Sequence, residues 1–161
     1  MNKKLQDALN KQINNELYSA YLYLAMAAYC ESKSLPGLSH WLKVQAKEET
    51  AHAMKFFEFL NDRGARVILQ AIPQPPAEFA STQDVFEKTL EHEKKVTAMI
   101  DRLYAMAQET NDNASEVLLQ WFISEQVEEE KNATMIVETM KMIKPDSAAL
   151  IMLDRELAKR E

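Results

Sequence analysis

The chain has 161 residues, 47% apolar and 27% charged, with a formal net charge of −6; that is about one domain's length, with enough apolar material for a core. Two glycines and five prolines are too few turn residues for a sheet protein, average usage being roughly 7% and 5%. Met, Ala, Leu, Glu, Lys and Gln favour helix, so the expected fold class is all-α. The single cysteine, Cys30, excludes a disulfide framework and any four-cysteine metal centre, and the acidic balance disfavours nucleic acid, which needs basic patches.

In chain order, the first predicted helix, A, runs from about Lys3 to Glu31 and is broken over Ser32 to Gly37. Ser34 is the expected N-cap of helix B, with Pro36 in its first turn; B continues to about Arg63, where Gly64 is the expected residue just past the end. Ser81 caps helix C, with Asp84 three residues on in a near capping box, and C ends near Glu109. Asn111, Asp112 and Asn113 form a turn before helix D, which runs to about Lys144. Pro145 and Asp146 open a short last helix ending near Lys159. The whole of 1–161 is expected to be one domain, a bundle over 1–144 with a terminal helix over 146–159. The N-terminal segment lacks the apolar stretch of a signal peptide, and no run approaches about 18 apolar residues. No membrane span and a cytoplasmic location are therefore expected.

The A–B and C–D links are short, so each pair forms an antiparallel hairpin. The B–C link, Ala65 to Ala80 with Pro73, Pro75 and Pro76, is long. Helices of about 27 residues are about 40 Å long, and about 16 extended residues reach roughly 50 Å, so this link can travel the length of the bundle. That arrangement is a four-helix bundle with one crossover, the ferritin-like topology. Val67, Ile68, Leu69, Ile72 and Phe79 are expected to pack against it.

Each helix carries an apolar stripe at spacings of three and four. The stripes read Leu9, Ile13, Glu16, Ala20, Tyr23 and Ala27 in A, and Leu38, Leu42, Gln45, Glu49, His52, Phe56 and Phe59 in B. They continue as Phe86, Leu90, Glu93, Thr97, Ile100 and Tyr104 in C, and Leu119, Phe122, Gln126, Glu129, Ala133, Ile136 and Met140 in D. Every stripe is interrupted near its middle by a carboxylate. Counted from the helix ends, these interruptions fall within roughly 5 Å of one level, so Glu16, Glu49, His52, Glu93 and Glu129 should converge. Buried carboxylates need shared protons, basic partners or bound cations. No Lys or Arg lies on the stripes at that level, and a carboxylate-rich set with one imidazole suits iron or manganese. Glu48, Glu125 and Glu128 lie one step round the helices, as a further cation site or as a solvated acidic face.

The segments NNELYSAYLYL, QAKEETAHAMKFF, EHEKKV and LQWFISEQVEEEK resemble those of prokaryotic non-haem ferritins, and the resemblance covers nearly the whole chain. It implies that Glu16, Glu49 and His52 bind a first iron and Glu49, Glu93 and Glu129 a second, with Gln126 a weaker ligand. It implies a third iron site at Glu48, Glu125, Glu128 and Glu129, a Tyr23 that supplies or relays an electron, and Trp121 as a similarly placed aromatic. The second half reads Gln126-Val-Glu-Glu129, without the histidine of related di-iron bundles. Thr50 stands where bacterioferritins place a haem-ligating methionine, so no haem is expected. The implied activity is ferroxidase: oxidation of Fe(II) by O2 or H2O2, then storage as a ferric oxyhydroxide mineral. The implied assembly is a 24-subunit homo-oligomeric shell, with the helix around Leu150, Leu153 and Leu157 gathering at four-fold axes. A non-storing di-metal oxidase or peroxidase of the same superfamily is the alternative; a signalling bundle of the cytokine type predicts apolar centres, disulfides and a signal peptide, which this sequence lacks.

Overall fold

The computed structural model describes residues 1–161. Helices α1 (Lys3–Ser32), α2 (Pro36–Asp62), α3 (Thr82–Glu109) and α4 (Asn113–Met142) form the bundle, and α5 (Ala148–Leu157) lies against α2. Asn2 caps α1 by accepting from the Lys4 amide. Ser81 caps α3 by accepting from the Asp84 amide at 3.0 Å, while the Asp84 carboxylate accepts from the Ala80 amide, one residue before the cap, a displaced form of the expected capping box. Asp112 caps α4 through the Ser115 amide and also receives both guanidinium arms of Arg63 at 2.8 and 3.0 Å. One carboxylate thereby ties the end of α2 to the start of α4.

Two turn assignments differ from the sequence-based expectation. Ser34 is not the N-cap of α2; it sits at φ +59°, and its amide and that of Leu35 bond back to the carbonyls of Glu31 and Cys30. The orphan carbonyls at the end of α1 claim this residue, and Leu35 begins α2 without a side-chain cap. Likewise α4 stops at Met142, short of Lys144, and Pro145–Asp146 do not open α5. Asp146 turns at φ +57°, and Ser147 is the N-cap. Gly64, at φ +68°, occupies its expected place.

The apolar stripes assemble into two separate cores. One gathers Tyr23, Met26, Leu38, Leu42, Phe86 and Met140 where α1 and α4 end and α2 and α3 begin. The other gathers Leu5, Leu9, Phe56, Leu60, Ile100 and Phe122 at the opposite end, with Phe56 and Phe122 stacked at 4.1 Å between ring centres. The crossover, 63–81, starts at the second core with Ala65 and arrives at the first with Phe79. It runs beside α1, where Asn10 exchanges two hydrogen bonds with the Ile68 backbone at 2.7 and 2.9 Å. Phe79 is buried and Val67 half-buried as expected. Ile68, Leu69 and Ile72 are exposed, at 59%, 60% and 39%, because the Asn10 clamp holds this stretch by its backbone.

Helix α5 turns Leu150, Leu153 and Leu157 onto the first core and leaves Ile151 and Met152 outward. It is docked by the buried Asp154, whose Oδ1 accepts from the Leu38 amide at 2.8 Å, capping α2 from another element. The approach is close: a Cβ on Gly37 would lie 1.7 Å from the Asp154 carbonyl oxygen.

Candidate metal centre

Between the two cores lies a polar layer built from the mid-points of all four helices. Glu16, Glu49, His52, Glu93, Gln126 and Glu129 are all buried in it, which is what equal helix heights require. Glu16, Glu49 and His52 each present a ligand atom within 4.8 Å of the others, and so do His52, Glu125 and Glu129. The two helical positions Glu49 and His52, three apart, face the same space, with His52 Nδ1 3.5 Å from Glu49 Oε2.

The remaining donors and acceptors are held from the side. Gln12 donates to Glu16 Oε1 at 2.8 Å. Gln45 donates to Glu129 Oε2 at 2.6 Å and to Glu49 Oε1 at 3.5 Å. The Tyr23 hydroxyl donates to Glu93 Oε1, and Gln126 donates to Glu93 Oε2 at 3.2 Å. These bonds leave Glu16 Oε2 and Glu49 Oε2 buried with no hydrogen-bond partner. Unpaired buried carboxylate oxygens are costly, and both belong to the Glu16–Glu49–His52 set. Hard oxygen donors with one imidazole fit a divalent or trivalent iron. With Glu93 held by Tyr23 and Gln126, the carboxylates of Glu49, Glu93 and Glu129 share the layer without drawing together as tightly as that set.

Burial shifts the carboxyls of this layer strongly. Burial, and then the charge of Glu49, push the Glu16 carboxyl well above its ordinary range. Burial followed by Glu93 and Glu129 does the same to Glu49. Glu93 and Glu129 are raised to about 7, burial being the main cause in each. Burial beside Glu93 drives the Tyr23 hydroxyl well above 10, so it stays protonated and donates. Raised carboxyls of this kind favour bound protons or bound cations over bare negative charge.

The flanking acidic residues separate. Glu125 lies 3.9 Å from His52 Nε2, Glu128 is exposed, and Glu48 is paired with Arg160. Trp121, 38% exposed, meets His52 edge-on at 5.5 Å and carries Lys55 Nζ 4.2 Å above its ring. Of three supporting residues, Gln45 was placed on the stripe of helix B without a role, and Gln12 and Arg160 were not singled out from the sequence. Gln12 and Gln45 each precede a carboxylate by four positions on the same face, a spacing that could have revealed them. Arg160 lies off every stripe and carried no such signal.

A model of the ferritin-like domain family matches residues 6–143. Proteins named bacterial non-heme ferritin are similar over 99% of this chain and 96% of their own length, at 41% identity in Staphylococcus saprophyticus and 38% in Staphylococcus aureus. The crystal structure of an open-pore ferritin from the hyperthermophilic archaeon Archaeoglobus fulgidus covers all of this chain, and 99% of its own, at 48% identity with a TM-score of 0.99. The four-helix topology, the acidic layer at its waist and these full-length likenesses together place the chain in the ferritin family.

Proposed function

We infer that this chain is an iron-storage subunit and ferroxidase, with Fe(II) as its substrate. Glu16, Glu49 and His52 take one ferrous ion; Glu49, Glu93 and Glu129 take a second, with Gln126 as a weaker neighbour. Two ferrous ions give up the two electrons that reduce O2, with two protons, to hydrogen peroxide; with H2O2 as oxidant the same two electrons yield water. The observation that carries this reading is the pair of buried, unpartnered oxygens on Glu16 and Glu49 inside a layer with no buried lysine or arginine.

Incoming cations displace the protons held by the raised carboxyls, and anionic oxygens favour Fe(III) over Fe(II), which lowers the potential. Tyr23 supplies or relays an electron, a role supported by its hydrogen bond to Glu93. Glu48, Glu125, Glu128 and Glu129 supply a third iron site, Glu125 lying 3.9 Å from His52 Nε2, from which Fe(III) moves to an oxyhydroxide mineral. Storage requires an enclosed space, and the reading includes a cytoplasmic 24-subunit shell. Apolar side chains left outward at Tyr21, Leu24, Leu69 and Met152 support burial against further copies. Thr50, following Glu49, offers no methionine sulfur, so the reading includes no haem.

The test is anaerobic loading with about two Fe(II) per chain, rapid mixing with O2, and absorbance of the ferric product. The parent should oxidise iron far faster than a Glu49→Ala/His52→Ala variant and should retain the product on further loading. Equal, slow oxidation in both would remove the site assignment.

A further inference from the structure

Helix α5 does more than cover the first core: the segment beyond it reaches the acidic layer. Arg160 is laid along α2 with its side chain only 17% exposed. Its guanidinium carbon stands 4.3 Å over the Trp41 ring, and its carbonyl accepts from His40 Nε2 at 2.7 Å. One arm, Nη2, pairs with Glu48. The other, Nη1, donates to Gln45 Oε1 at 2.8 Å and reaches the Trp41 carbonyl at 3.3 Å.

Gln45 is fully buried, and its amide bridges Arg160 and Glu129. A guanidinium has donors alone, so it compels the amide oxygen to face outward and the NH2 to face the carboxylates. That NH2 is what grips Glu129 Oε2 at 2.6 Å. If the amide turned over, its oxygen would confront Glu129, and two acceptors would meet in a buried site. The grip on Glu48 and the stacking on Trp41 hold the guanidinium in the one place where it can enforce this orientation.

We propose that Arg160 is a positioning residue of the metal centre, acting on Glu129 through the orientation of the Gln45 amide. The proposal rests on the reading of the acidic layer as a metal centre. It links the docking of α5 to one half of that centre, since Arg160 follows the helix that Asp154 and Leu150, Leu153 and Leu157 seat on the bundle. Partners behind the ligands tune affinity by about 10- to 100-fold.

The experiment titrates Zn2+, redox-silent and divalent, into metal-free assembled protein by calorimetry. It compares the parent with Arg160→Ala, Gln45→Leu and the double variant, thermal unfolding being followed for each. Arg160→Ala should weaken the binding step that involves Glu129 about tenfold and change the step at Glu16, Glu49 and His52 much less, since the Gln45 amide lies 2.6 Å from Glu129 and 3.5 Å from Glu49. Gln45→Leu should do the same, and Arg160→Ala should add nothing in the Gln45→Leu background, the non-additivity of residues acting in series. An unchanged isotherm in Arg160→Ala, equal weakening of both steps, or additive losses would each overturn the proposal. A parent that takes up no Zn2+ would instead overturn the metal-centre reading itself, and the role of Arg160 with it.

Discussion

Raising the pH of the metal-free protein from 5 to 7 should weaken its fold. Glu93 and Glu129 are held at about 7 against an ordinary 4.5. In that window the folded chain keeps protons that the unfolded chain has released, so stability is present below 4.5 and is lost as the pH rises through 7. Moving one carboxyl that far corresponds to on the order of 3 kcal/mol. His92 acts in the opposite sense. Half-buried, with Nε2 2.8 Å from Ser19 Oγ, it is lowered by desolvation from 6.5 to about 4, and its contribution grows as the pH climbs through that interval. One of the two carboxyls is thereby offset, and the net fall is about 3 kcal/mol, with the raised Glu16 and Glu49 adding in the same direction. Guanidinium unfolding of chelator-stripped protein at several pH values reads this as a falling midpoint. Saturating Zn2+ should abolish the fall, because the cation replaces the protons, and a Glu93→Gln/Glu129→Gln variant should show a smaller fall without metal. A metal-free midpoint that stays level or rises from pH 5 to 7 would refute the account of the layer as proton-filled.

Two further outcomes follow from the way α5 and the bundle end are fastened. Gly37→Ala drives a methyl group into the Asp154 backbone, which should cost about 1–3 kcal/mol as overpacking does and leave α5 open to limited proteolysis while the bundle persists; an α5 that stays resistant would contradict the close approach. Arg63→Ala removes the paired bonds to Asp112, whose carboxyl the guanidinium holds down at about 2. It should lower stability by about 1–2 kcal/mol at neutral pH, seen as a reduced melting temperature. The difference from the parent should shrink as the pH falls from about 4 towards 2, where protonated Asp112 no longer gains from the pair.

The architecture was legible because it is periodic. Stripes at spacings of three and four name the buried face of each helix, and an interruption such as Glu93 between Leu90 and Ile100 is visible without coordinates. The common height of those interruptions followed from helix rise alone. Chain ends were less legible, since two groups compete for the same residue. Ser34 has the chemistry of an N-cap, yet the unpaired carbonyls of Cys30 and Glu31 lie nearer and bend it into the left-handed region. The exposed Ile68, Leu69 and Ile72 show the limit of hydrophobicity as a guide within one chain. Their segment is positioned by Asn10, a polar residue on the outer side of α1, and nothing in their own pattern records that. Arg160 illustrates the remaining gap: its bond to Gln45 spans 115 positions, and no local spacing encodes such a contact.

The division of the apolar interior into two cores, one at each end of the bundle, bears on what a container must survive. A vessel for a transient cargo has to keep its shape both loaded and empty. Had the ligands been set within a single continuous core, each departure of iron would have left a void in the region that holds the helices together. Here Tyr23, Leu38 and Phe86 close one end, and Leu9, Phe56 and Phe122 close the other, so on the proposed reading the waist exchanges cations for protons while the packing of both ends is untouched. The penalty of emptying is confined to a thin slice of the molecule, and filling and discharge become changes of occupancy within a wall that stands throughout.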